Sequence, residues 1–187
     1  MKYGKLTMGQ MEAIINKLGG EEGARRLLSG ELMVSVPRFT KMTVKLGTHK
    51  TPDSYRRALK KKGVDINRWA DEILSKITCS QEEIDLDLVA ISVRDLMDRE
   101  GDARCVDISA KAQELNLELC PAEVGPALAL KYTDRGWFCV AMDPVADCYG
   151  GCKSSAFNVG NFELEGYFGD FPDGKISDHC RLVFRRK

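Results

Sequence analysis

The chain has 187 residues, 43% hydrophobic content and a formal net charge of zero, which excludes a disordered polypeptide and a generally basic nucleic-acid coat. At this length roughly 70% of the unfolded surface is buried on folding, so neither a disulfide nor a metal is needed for stability. The zero conceals a segregation: Arg25 to Lys62 holds eleven Lys/Arg against Glu31 and Asp53, about +9, and Asp71 to Asp102 holds ten Asp/Glu against three bases, about −7.

In chain order, Met1 to Gln10 has no apolar h-region, and no later apolar run reaches the roughly 20 residues of a membrane span. The chain therefore reads as a soluble, unexported, cytoplasmic protein. Thr7 to Leu18 predicts a helix opened by a Thr7/Gln10 capping box, with Met8, Met11, Ile14, Ile15 and Leu18 on one face. Gly19 and Gly20 stop it, Glu21–Ser29 makes a second helix, and Leu32–Val36 a short strand closed by Pro37. This pair has the outline of a helix-turn-helix, but Glu21 and Glu22 would open the reading helix and repel phosphates, which favours a plain αα-hairpin.

Thr40–Leu46 alternates as a half-buried strand with Lys41, Thr43 and Lys45 outward. Thr51, Pro52 and Asp53 open a helix that Lys60, Lys61, Lys62 and Gly63 close. Asp65 is read as the cap of the next helix, with apolar residues at helical spacing from Ile66 to Ile77. Ile84–Ile91 is a strand, Ser92/Asp95 a capping box over a short helix, and Asp107 the cap of a helix running to Leu115. Pro121, Gly125 and Pro126 keep Cys120–Leu130 from forming one long helix.

Strands at Trp137–Met142, Ala156–Val159, Phe162–Phe168 and Cys180–Phe184 then follow, separated by turns. The expected fold is α+β: an N-terminal helical region with a short strand pair, then a C-terminal antiparallel sheet of about four strands. Residues 1–187 read as a single domain, with 1–36 as a possible helical appendage to a 37–187 body.

Lys41, Lys45, Arg56, Arg57, Lys60, Lys61 and Lys62, with Lys50, form the candidate binding surface, one positive face suited to phosphates. The competing readings are a solvated helix face, or neutralisation by the acidic 82–102 stretch. Tyr55, the one interleaved aromatic, turns toward the core with Leu59, so base stacking is poorly supported.

Seven cysteines lie at 79, 105, 120, 139, 148, 152 and 180. They read as reduced thiols. Cys148 and Cys152 with His179 and Cys180 are soft ligands, but the CxxxC spacing and the adjacency of His179 to Cys180 argue against zinc. A reversible Cys148–Cys152 disulfide is the other chemistry open to them. Cys120 before Pro121, with Glu123 beyond, is the most suggestive nucleophile, near a helix N-terminus that lowers a thiol pKa, though a small helix-capping residue explains it equally well. No carboxylate pair, phosphate loop or dinucleotide fingerprint stands out.

Two blocks carry a resemblance. Met8-Gly-Gln-Met-Glu-Ala-Ile-Ile-Asn-Lys-Leu-Gly-Gly-Glu-Glu-Gly onward to Leu32, and Leu117-Glu-Leu-Cys-Pro-Ala-Glu-Val-Gly-Pro126 with Ala141-Met-Asp-Pro-Val145, resemble small uncharacterised bacterial proteins. The resemblance implies a bacterial, cytoplasmic, stand-alone protein and no particular activity. The turn after Val145 departs from that group in bearing Cys148 and Cys152, which weakens the zinc reading further. The expected function is a binding or regulatory module without catalytic activity, using the 41–62 basic surface or the Trp137-bearing sheet. A protein partner is favoured, and no cofactor or metal is expected. The alternatives are a nucleic-acid binder on that basic surface and a small enzyme near Cys120/Glu123 or His179.

Overall fold

The capping box at Thr7 opens α1 (Met8–Lys17): Thr7 Oγ1 accepts from the Gln10 N–H and Gln10 Oε1 accepts from the Thr7 N–H. The computed structural model describes residues 7–32, 39–132, 136–143, 145, 154–169 and 174–187. The chain divides into two units, Met1–Val36 and Pro37–Lys187. The first is an αα-hairpin of α1 and α2 (Gly20–Leu28), with Met8, Met11, Ile14 and Ile15 exposed on α1. The strand expected within Leu32–Val36 lies almost wholly outside the described residues.

In the second unit, alternation over β1 (Thr40–Leu46) buries Met42, Val44 and Leu46 and exposes Lys41, Thr43 and Lys45. α3 (Pro52–Lys61) has Thr51 as its cap and Pro52 in its first turn, and buries Tyr55 and Leu59. Asp65 is not a helix cap. Asp65 and Ile66 form the two-residue strand β2, and Asn67 caps α4 (Arg68–Lys76) instead. The Asp65 N–H donates to the Phe162 carbonyl (2.8 Å) and the Asn67 N–H to that of Leu164 (3.1 Å). Distant strand pairing thus overrides the local cap signal.

β3 (Ile84–Ser92) leads into α5 (Val93–Met97), with Ser92 capping as expected. β4 (Ala103–Arg104) precedes α6 (Cys105–Glu114), in whose first turn Asp107 pairs with Arg104 rather than capping. β5 (Leu117–Glu118) and α7 (Val124–Lys131) follow. Pro126 is tolerated in α7 because first-turn N–H groups have no helical partner to lose. β6 (Phe138–Val140), β7 (Ser154–Gly160), β8 (Glu163–Gly169), β9 (Lys175–Ile176) and β10 (Arg181–Arg186) complete the described elements.

The expected separate four-stranded antiparallel sheet does not exist. One mixed sheet of eight strands runs β1-β3-β10-β6-β7-β8-β2, with β5 also on β10. β10 is parallel to β6, β2 is parallel to β8, and the other pairs are antiparallel. The cause is the return of β10 to the centre, between β3 and β6, which joins early and late strands into one layer. β4 and β9 form a separate ribbon.

Each face of the sheet carries its own core. On one, Met42, Val44, Leu88, Phe157, Val159 and Leu164 pack under Tyr55, Ile73 and Leu128 of α3, α4 and α7. On the other, Val89, Ile91, Leu182 and Phe184 pack under Leu96 of α5 and Ile108 of α6. α7 is apolar nearly all round because it lies against both the sheet and α3. The free edge of β1 is guarded: Tyr132 Oη accepts from the Thr43 N–H and donates to its carbonyl (both 3.3 Å), and Lys131 Nζ donates to the same carbonyl (2.8 Å).

Asp178 anchors α5 to the turn before β10. Its Oδ2 accepts from the Gly101 N–H and from Arg94 Nη2, both at 3.1 Å. The Gly101 bond first, and Arg94 next, hold its carboxyl below the usual range. The folded state therefore favours the ionised form; this stabilisation is complete above the ordinary carboxylate range and is lost as pH falls through the lowered value. Asp178→Asn is expected to reduce the urea midpoint at pH 7. Its deficit relative to wild type shrinks as acid protonates Asp178, which urea titrations at neutral and acid pH would read directly.

Candidate functional site

The basic residues do not share one face. The β1–β3 register sets Lys41 beside Val89 and Lys45 beside Asp85, on the sheet face away from α3. Lys45 Nζ lies 3.2 Å from Glu83, and Lys50 Nζ donates to the Gln81 carbonyl. Arg56 is held by Asp53 (2.6 Å) and Asp71 (2.5 Å), and Lys62 Nζ donates to the Leu130 carbonyl. Arg57, Lys60 and Lys61 are exposed and make no ion pair within the described residues. Part of the charge segregation is thus settled internally.

The three suggestive catalytic residues also separate. Cys120 is fully buried, its thiol 3.6 Å from the Val183 carbonyl. Burial pushes that thiol up to about 12, the opposite of the expected activation. Glu123, 1% exposed, is an organiser of loops. Its Oε1 accepts from the Gly47 N–H (2.8 Å) and Tyr55 Oη (2.9 Å), and its Oε2 from the Ser80 N–H (2.8 Å). Burial, then the bond to Glu123, raises the Tyr55 hydroxyl far above its ordinary value. Gly47 has φ of 71°, and a Cβ there would sit 1.9 Å from the Glu82 carbonyl oxygen, so glycine brings its N–H to this carboxyl. His179 is on the surface, its imidazole 3.5 Å from Asp178. Cys148 and Cys152 lie outside the described residues.

A site not singled out from the sequence lies on the face covered by α5 and α6. These helices sit over β3 and β10, and among the described residues no helix covers β6 and β7 on this face. Along β7, Phe157 and Val159 point into the other core, while Ala156 and Asn158 face the open side; Cys139 and Ala141 do the same beside β6. These small side chains, with no helix above them among the described residues, line a cleft of about 540 Å³. Leu182 and Phe184 extend its floor, and Ile108, Ser109 and Ile176 form its walls. Besides the cysteines, the polar residues of the lining are Ser109, Asp143, Asn158, Lys175 and Ser177.

Three free thiols, Cys105, Cys139 and Cys180, line this cleft. The parallel register sets Cys139 opposite Leu182, so Cys180 lies two residues upstream on the neighbouring segment. The neighbouring Cys139 thiol lowers the Cys180 thiol, and Cys180 together with burial raises that of Cys139. Burial also raises Cys105. Among the described residues, no group of three or more His, Cys, Asp or Glu side chains is arranged to hold a metal ion, and no helix is long and apolar enough to cross a membrane. No protein-family model, curated protein or solved structure matches the chain.

Proposed function

We propose that the protein is a non-catalytic binding module for a small, largely apolar ligand seated in the cleft on β6 and β7. The observation that carries this reading is the cleft itself: a mainly apolar lining, a floor of strands and a few polar groups. Its volume lies within the range of roughly 300–1,000 Å³ typical of ligand pockets. The internal pairing of Lys45 and Arg56, and the burial of Cys120 and Glu123, favour this over the basic surface or an enzyme centred on those two residues.

The test is titration with an environment-sensitive apolar fluorophore such as anilinonaphthalene sulfonate. Native protein is expected to show one saturable site. Ala156→Trp, which fills the cleft from its floor, weakens that site at least about tenfold, a loss of ~1.4 kcal/mol. Ile14→Lys on the exposed face of α1 leaves it unchanged. Absence of a saturable site, or sensitivity to Ile14→Lys in place of Ala156→Trp, would sink the proposal.

A further inference from the structure

We infer that a hollow at the start of β10 binds a compact zwitterion of the α-amino acid class, its carboxylate on Arg181 and its ammonium on Asp95. Strand register builds the hollow. Arg181 stands opposite Ser92 of β3, and Thr40 of β1 opposite Ala90, all on the sheet face that carries Phe138, Val140 and Val183. Farther along that face Met42, Val44 and Leu88 fill the space above the strands. Thr40, Ala90 and Ser92 are short by comparison, and they line a cavity of about 360 Å³. That volume falls within the range of roughly 300–1,000 Å³ for ligand pockets. The hollow shares no lining residue with the cleft on β6 and β7, so it is a second site.

The charges of the lining sort into one satisfied pair and two unmatched groups. Asp178 Oδ2 lies 3.1 Å from Arg94 Nη2, and its Oδ1 lies 3.5 Å from His179 at the rim. Arg181 has no acidic partner among the described residues. Its guanidinium lies 4.5 Å from the centre of the Phe138 ring, and its Nη2 donates to Thr40 Oγ1 at 3.2 Å. The ring and the hydroxyl hold the guanidinium in place and leave most of its N–H groups for a ligand. Asp95 likewise makes no ion pair among the described residues; its Oδ2 accepts from Ser92 Oγ at 2.7 Å, which leaves Oδ1 for an ammonium. A guanidinium binds a carboxylate through paired N–H groups. The Thr40 hydroxyl accepts from Arg181 and keeps its own proton to donate to the same carboxylate. A doubly charged phosphate monoester would face Asp95 and Asp178 and be repelled. A simple amine would be repelled in turn by Arg181. Opposite charges on one small molecule match both groups at once.

The experiment titrates the full chain at neutral pH with each of the common L-amino acids by isothermal titration calorimetry. The tightest binder is then compared with its decarboxylated amine and its deaminated acid. At least one amino acid is expected to saturate a single site below about 10 mM, and both analogues to bind at least about tenfold more weakly. Arg181→Gln and Asp95→Asn are each expected to weaken the amino acid at least about tenfold. Asparagine can still accept from Ser92 Oγ, so Asp95→Asn removes the charge and keeps the start of α5, and it carries the test by itself if Arg181→Gln fails to fold. Failure of every amino acid to saturate overturns the inference, as does a deaminated acid that binds as tightly as its parent. Undiminished binding by Asp95→Asn overturns it too. Displacement of anilinonaphthalene sulfonate by the same amino acid would put that ligand in the cleft on β6 and β7, and would sink the second site while leaving the first.

Discussion

Glu123→Ala is expected to be among the most destabilising substitutions in the chain, lowering unfolding free energy by about 3–5 kcal/mol. Little apolar material is lost with the carboxylate, so lost packing is not the main cause. Alanine leaves three donors without this acceptor, the buried Gly47 N–H and Tyr55 hydroxyl and the part-buried Ser80 N–H. These come from the loop after β1, the loop after α4, and α3, so one residue before α7 joins three separate segments. Against a typical total of about 5–15 kcal/mol, that loss approaches unfolding. Glu123→Gln costs less, because one oxygen still accepts while its amide opposes an N–H. Tyr55→Phe removes a single bond, for about 1–2 kcal/mol. Urea melts of the three variants should fall in that order, and equal losses for all three would refute the shared-acceptor account.

Gly166→Ala is expected to cost at least the upper part of the about 1–3 kcal/mol range for overpacking. The added Cβ would lie 2.4 Å from the Trp69 carbonyl carbon and 2.5 Å from the Ala70 nitrogen. Both are backbone atoms at the start of α4, so no rotamer change relieves the clash and the helix must lift from β8. Lifting also strains Asn67 Oδ1, which accepts from the Ala70 N–H at 2.8 Å and the Gly166 N–H at 3.1 Å. A fall in Tm of about 6–12 °C corresponds to ~3 kcal/mol in a chain of this size. Calorimetry showing no change would mean that α4 is not held at this distance.

Local chemistry was legible where it acts alone. Thr51-Pro52 specifies the start of α3, the alternation in Thr40–Leu46 specifies β1, and the Tyr55/Leu59 spacing specifies which side of α3 is buried. Legibility stopped where a partner distant in sequence decides. Asp65 carries a sound cap signal, yet its N–H finds the Phe162 carbonyl. Nothing near Arg181 indicates that β10 enters the middle of the sheet between β3 and β6. Cys120 before Pro121 suggests either a thiol activated by a helix N-terminus or a small capping residue, and burial in the core reverses the direction the first requires. The cleft did leave a trace: Ala156 and Asn158 alternate with Phe157 and Val159, small and polar against large and apolar. That pattern marks a strand with one thinly covered face. The meeting of Cys139 and Cys180 in one cleft left none, since it arises from a parallel register between segments about forty residues apart.

The central position of β10 also constrains the order in which the molecule is made. β3 finds its first partner, β1, within the first half of the chain, but its second edge stays open until residues 181–186 exist. The contact between Arg181 and Thr40 spans 141 positions. Closing so distant a pairing is slow, and during synthesis the half-built sheet presents the bare Leu88–Ser92 backbone to whatever strand is nearby. Tyr132 and Lys131 shield the outer edge of β1 early; the inner edge of β3 has no such cover. A nascent chain paused before β10 is therefore at its most exposed to mispairing, and protection at that stage has to come from the timing of translation or from a chaperone.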